Sequence, residues 1–272
     1  MFGDWSMRSS TFEAQRITGF TIVELIVVTS IIALLSVLLL PALGKAKSRT
    51  KRVACMNNLR QMGAGALMYS DDDSQQVMAG VYDVGDGNLN WLYGFYLDSK
   101  KTFVCPATKN FIRDNQSPNP RTGQMGLVDL HRHAGTAGYI NGSSYDVYGF
   151  MNAGGGKTSQ VKQGSTTVSL PFVRKTRTTI QRHIHSHDVF DLGGQSTGPS
   201  DIWLIVDNTV AQNNDYPDSG DNHGAEGGLA ALCDGHVEWI QREEYVYRYE
   251  RSQDDGRTKI RMHPGLSSGH YY

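Results

Sequence analysis

Gly19-Phe20-Thr21-Ile22-Val23-Glu24-Leu25 opens an apolar run that continues to Leu40. Every residue from Phe20 to Leu40 is apolar or carries a small hydroxyl, with one exception, Glu24. About 20 consecutive residues of this kind, wound as a helix, cross the ~30 Å hydrocarbon core of a bilayer. The run therefore predicts a transmembrane helix over 20–40. A carboxylate inside such a helix is costly, on the order of 2.5–3.5 kcal/mol at the bilayer centre, and marks a candidate functional group.

Residues 1–19 are a polar leader containing Asp4, Arg8, Glu13 and Arg16. It has no apolar core of its own and no small-x-small cleavage pattern, so an ordinary secretory signal fits poorly. A plain signal anchor is the alternative. It leaves unexplained why the single charge of the run sits just after a Gly-Phe junction.

Pro41 follows the run and, inside a helix, removes one backbone hydrogen bond and kinks the axis. Beyond it Leu43, Ala46, Val53, Met56, Leu59, Met62, Ala66 and Tyr69 recur mostly at three- and four-residue spacing, one apolar helical face. The expectation is one long helix from about Phe20 to Tyr69, on the order of 75 Å. Its transmembrane half is 20–40 and its amphipathic half 41–72. Ser70-Asp71-Asp72-Asp73-Ser74 should stop it.

From Val77 the helical period is lost. Asn90–Tyr93, Thr102–Val104 and Ser169–Val173 read as short strands among Gly, Asp, Asn and Pro. The best strands are late: Asp201–Asp207, then Gly228–Cys233 and His236–Ile240 around Asp234-Gly235, a strong hairpin signal. The segment from Gln241 onward has no clear assignment. The fold class expected is α+β, a long N-terminal helix packed on an antiparallel sheet, with a globular domain over 73–272.

Composition limits the function classes. The chain of 272 residues has a net charge of −1, which gives no general reason to expect nucleic-acid binding. Mean hydropathy is −0.40, so the part beyond Leu40 reads as water-soluble. With 30 Gly and 13 Tyr against 19 % charged residues, it suits an exposed, loop-rich domain better than a helical bundle. Outside the cytoplasm two of Cys55, Cys105 and Cys233 can bridge. Cys55–Cys105 is the first choice, although no spacing rule decides it.

Several patterns suggest chemistry. His183, His185 and His187 alternate beside Asp188, and on a strand would share one face able to hold zinc. His131 and His133 repeat the spacing. Exposed histidines in a loop or hairpin are the simpler reading. The stretch Asn213–Asp221 offers Asp215, Asp218 and Asp221 as calcium ligands, but its spacing is not that of an EF-hand, and turn chemistry accounts for it. Gly154-Gly155-Gly156-Lys157-Thr158-Ser159 fails as a phosphate loop because Met151 stands where the first Gly belongs. No nucleophile–base pair is visible, so no enzyme and no firm cofactor is expected.

The stretch from Gly19 to Glu24 resembles the processing and methylation signal of type IV pilins and of the pseudopilins of type II secretion. Pilins commonly carry a Pro where Pro41 stands. Cys55–Met62, Phe103–Pro106, Tyr148–Asn152 and the Asp234-Gly235-His236-Val237 hairpin are similar to a pseudopilin-like family of planctomycetes and verrucomicrobia. That family's signature has a His nine residues before the Asp-Gly; here ten residues follow His223 before Asp234, which suggests a bulge or longer loop.

The resemblance implies cleavage after Gly19 by a prepilin peptidase, N-methylation of Phe20, and assembly through Glu24. Glu24 would pair with the amine of a neighbouring subunit's Phe20. It implies as partners other pilin-like subunits, the peptidase/methyltransferase, and an inner-membrane platform with its ATPase. It places the C-terminal domain outside the bacterial inner membrane. Charge argues the other way, because Lys45, Lys47, Arg49, Lys51 and Arg52 follow the run and basic flanks favour the cytoplasm. The expectation follows the resemblance: a filament subunit. The alternative is a pilin-signal-anchored, ligand-binding tip subunit with Gly- and Tyr-rich recognition loops.

Overall fold

The computed structural model describes residues 19–83, 86–119, 122–131, 141–151, 159–163, 165–207, 217 and 221–256. The chain divides into two compact units, Met1–Lys47 and Ser48–Tyr272. α1 (Ile22–Asp72) is 51 residues long and contains Pro41. Its N-terminal part is long and apolar enough to cross a membrane, and every residue over 19–50 is exposed. The helix ends where Asp73 turns the chain. Asp73 Oδ1 accepts the N–H groups of Gln75 and Val77 at 2.9 and 3.1 Å.

The buried stripe of α1 is Cys55, Leu59, Met62, Ala66 and Ser70, with Gly63 and Gly65 beside it. Leu43 and Val53, expected on this face, are 66 % and 56 % exposed. Partial burial of the helix begins at Lys51 among the described residues, so the stripe begins at Cys55.

In chain order the strands are β1 (Gln116–Pro118), β2 (Met125–Leu127), β3 (Tyr145–Val147), β4 (Phe150–Met151), β5 (Ser159–Gln163), β6 (Thr166–Leu170), β7 (Val173–Arg174), β8 (Trp203–Asp207), β9 (Gly227–Leu232) and β10 (Val237–Gln241). The main sheet is antiparallel, ordered β10-β9-β8-β3; β1-β2, β4-β7 and β5-β6 are separate two-stranded pairs. Two further helices among the described residues are α2 (Arg177–Gln181) and α3 (Tyr245–Gln253). α3 occupies the segment that sequence left unassigned.

β8 and β9 are buried on both faces, which is why they read as unbroken apolar runs rather than alternating ones. Ile205, Leu229 and Ala231 point into the core that includes Leu59, Met62 and Ala66 of α1. Trp203, Val206, Ala230 and Leu232 point the other way, against Tyr245 and Tyr249 of α3. The sheet is thus sandwiched between the second half of α1 and α3.

Three short segments differ from the strand expectation. Asn90–Tyr93 forms turns, because Leu92 and Tyr93 both donate backbone N–H to Leu89 O. Thr102 and Phe103 lie in a 3-10 turn, Lys100–Phe103. Ser169–Val173 is split between the end of β6 and the start of β7.

The Asp-Gly hairpin joins β9 to β10, but not by a two-residue turn. Leu232 N–H donates to His236 O and Gly235 N–H to Leu232 O. Gly235 takes φ +90° while Asp234 stays at negative φ, as in a three-residue loop closed by a left-handed glycine. A Cβ on Gly235 would meet Leu67 Cδ1 at 2.8 Å, and one on Gly63 would meet Gly235 O at 3.4 Å. These two glycines let the hairpin tip lie directly on α1. The suggested bulge between His223 and Asp234 is not in that stretch, which holds a 3-10 turn, Gly224–Glu226, and β9. The irregular register falls on β8, between Trp203 and Ile205.

Candidate functional site

The N-terminal site rests on a Thr-x-x-Glu arrangement. Thr21 Oγ1 accepts the Glu24 N–H at 3.2 Å, and Glu24 Oε2 accepts the Thr21 N–H at 2.8 Å. This is a capping box, in which two of the helix's orphan N–H groups are satisfied reciprocally. Glu24 Oε2 also accepts the Thr21 hydroxyl at 2.7 Å. The Thr-x-x-Glu pattern is legible in the sequence at Thr21 and Glu24. Gly19 and Phe20 precede α1 and are exposed. The other polar side chains of the run close on the helix itself. Thr29 donates to Leu25 O, Ser30 to Ile26 O and Ser36 to Ile32 O, at 2.9, 2.6 and 2.8 Å.

A second cluster surrounds the disulfide Cys55–Cys105, which ties α1 to the residue two beyond the Lys100–Phe103 turn. Cys233 is the remaining, buried thiol. His223 Nε2 lies 3.6 Å from Cys105 Sγ and 3.5 Å from Asp207 Oδ2. Burial, with the Arg52 charge adding to it, pushes His223 down to about 4, so the ring is neutral at physiological pH. Burial pushes the Asp207 carboxyl up to about 7, against the opposing bonds from Asn222 and the Leu229 N–H. Arg52 pairs with Glu226 at 2.5 Å and stacks 3.6 Å over the Trp239 ring. One of the five basic residues after Pro41 is therefore engaged by the domain. With both sulfurs oxidised, this group is a structural staple rather than a ligand set.

The third cluster was only half visible in the sequence. His183 and His185 are buried, not exposed, and His187 is half-buried. They converge on Asp254, the left-handed cap of α3 at φ +49°. His183 Nε2 is 3.4 Å from Asp254 Oδ2; His185 Nδ1 and His187 Nδ1 are 3.4 and 3.0 Å from Oδ1. Ser186 and His187 donate their backbone N–H groups to the same carboxylate. Burial opposes ionisation of Asp254, yet the Ser186 and His187 N–H groups and the His187 imidazole outweigh it and hold the carboxyl far below its usual range. Asp188, expected beside the histidines, instead accepts the Gly193 N–H. Asp254 lies 68 residues past Ser186, so no local spacing pointed to it.

His131 is spent on structure, with Asn90 and Asn119 amides at Nδ1 and Ser117 O at Nε2. His133, Gly154–Lys157, Asp215 and Asp218 lie outside the described residues. Asp221 is half-buried, and its carbonyl accepts the Gly224 N–H. Comparison with protein-family models, with curated proteins and with solved structures returns no match.

Proposed function

We infer that the chain is a structural subunit of a type IV pilus-like or type II secretion pseudopilus filament. In this reading prepilin peptidase cleaves after Gly19, Phe20 becomes the N-methylated N-terminus, and the subunit polymerises through α1 from the bacterial inner membrane. The domain then faces the extracytoplasmic side, where the Cys55–Cys105 bridge is stable.

One observation carries the reading. The apolar segment of α1 is exposed all round, its hydroxyls are satisfied inside the helix, and its one carboxylate bonds only to Thr21 among the described residues. Such a surface is built for lipid or for like helices, and its single charge is the Glu24 carboxylate. A carboxylate without a counter-ion on such a surface favours a cation, and the free amine of a neighbour's Phe20 supplies one.

Glu24→Gln tests this directly. Gln is an equally good third residue of a capping box, so the helix start is kept and only the charge is lost. The variant is expected to insert normally and to fail to enter filaments. Normal incorporation of Glu24→Gln would overturn the role of Glu24 in assembly.

A further inference from the structure

His185 is fully buried, and its Nε2–H donates to the Arg251 carbonyl at 3.0 Å. That bond leaves Nδ1 as the bare nitrogen of the neutral ring. Nδ1 makes no hydrogen bond, and it faces a carboxylate oxygen of Asp254 at 3.4 Å. A lone pair turned toward an anion in a dry site is unfavourable unless a positive charge stands between them. The groups facing Asp254 among the described residues are three imidazoles and two backbone N–H groups. None of them carries a fixed positive charge.

The spacing fits such a charge. Ligand atoms at the corners of a tetrahedron with bonds of ~2.0–2.1 Å are about 3.3 Å apart. His183 Nε2 stands 3.4 Å from Asp254 Oδ2 and His185 Nδ1 3.4 Å from Oδ1, and ligand atoms of the three groups lie within 4.8 Å of one another. The surroundings are those of a metal site as well. The far nitrogen of His185 is held by a backbone carbonyl, and the carboxylate is held by the N–H groups of Ser186 and His187 and by His187 Nδ1. Outer contacts of this kind fix tautomer and orientation in metal centres.

We propose that His183, His185 and Asp254 bind a divalent transition-metal ion of the zinc class, with His187 positioning the carboxylate. The ion joins the His183–His187 segment to the end of α3, locking the C-terminal helix onto the sheet.

The test is Zn2+ titration of the chelator-treated full-length chain in detergent, followed by calorimetry, with Co2+ absorption as a report on ligand geometry. One equivalent is expected to bind, with a tetrahedral Co2+ spectrum and a raised Tm. His185→Gln is expected to abolish binding, and His187→Gln to weaken it about 10- to 100-fold. His236→Gln, at an exposed histidine paired with Asp234, should leave it unchanged. The Co2+ spectrum of the unmodified chain reads the site even where a ligand variant fails to fold. No saturable binding by the unmodified chain, or equal binding by folded His185→Gln, overturns the proposal.

Discussion

Lys175 is the residue whose placement is most at odds with its chemistry. It is fully buried between the sheet and α3 and donates from Nζ to the Trp203 carbonyl at 2.7 Å. No carboxylate pairs with it among the described residues. Burial pushes its ammonium down to about 7 from 10.5, with the Cys233 thiol opposing slightly. A base whose folded pKa is depressed binds fewer protons folded than unfolded, so stability rises with pH through the gap. Between pH 7 and 9 the unfolding free energy is expected to climb, by at most about 1.4 kcal/mol per pH unit from this group. Lys175→Met should remove that climb. Urea unfolding of both proteins across the window checks it, and equal slopes would contradict it. Above pH 9 the buried Cys233 thiol, pushed up to about 12, works in the opposite sense.

Residues like these mark the limit of what sequence could tell. Glu24 was legible because an isolated charge in an apolar run stands out. Lys175 and Asp254 were not, because each sits among ordinary polar residues and acquires its environment only when distant strands and helices close around it. The three histidines were seen as a set. Their burial was not, since it depends on the end of α3, a nine-residue helix whose buried face is Tyr245 and Tyr249 with the polar Glu250, Ser252 and Gln253.

At the scale of elements, the two long-range features were legible for different reasons. α1 declares itself by the length of its apolar run and the stripe after it. β8 and β9 declare themselves as apolar runs between turn residues. Of β1 to β7 only the β6–β7 junction overlaps an expected strand, Ser169–Val173, because strands this short that lack an unbroken apolar run carry too few residues for a period. The disulfide is the element that holds α1 to the loop-rich part of the domain, closing a sequence separation of 50 residues. On chain-entropy grounds such a loop contributes roughly 4 kcal/mol, less whatever strain the bridge carries. The Cys55→Ser/Cys105→Ser variant is expected to lose stability of about that order, read as a lower urea midpoint. A midpoint unchanged from the bridged protein would show that the core alone sets the position of α1. Arg52, stacked on Trp239 and paired with Glu226, is a second tie between the helix and the sheet.

At the scale of the molecule, the chain divides at Lys47 and Ser48 into two units with different surfaces. The first unit exposes apolar side chains all round, while the second closes two cores about one sheet. An apolar helix of this length finds its partner in lipid or in other helices. The filament reading adds a specific chemical event to that physical need: cleavage at one peptide bond and methylation of the new amine. Mass spectrometry of the mature N-terminus, on protein isolated from its native cells, tests this most directly. The account predicts a chain that begins at Phe20 with an N-methylated amine; an intact Met1, or a start at any other residue, would contradict it.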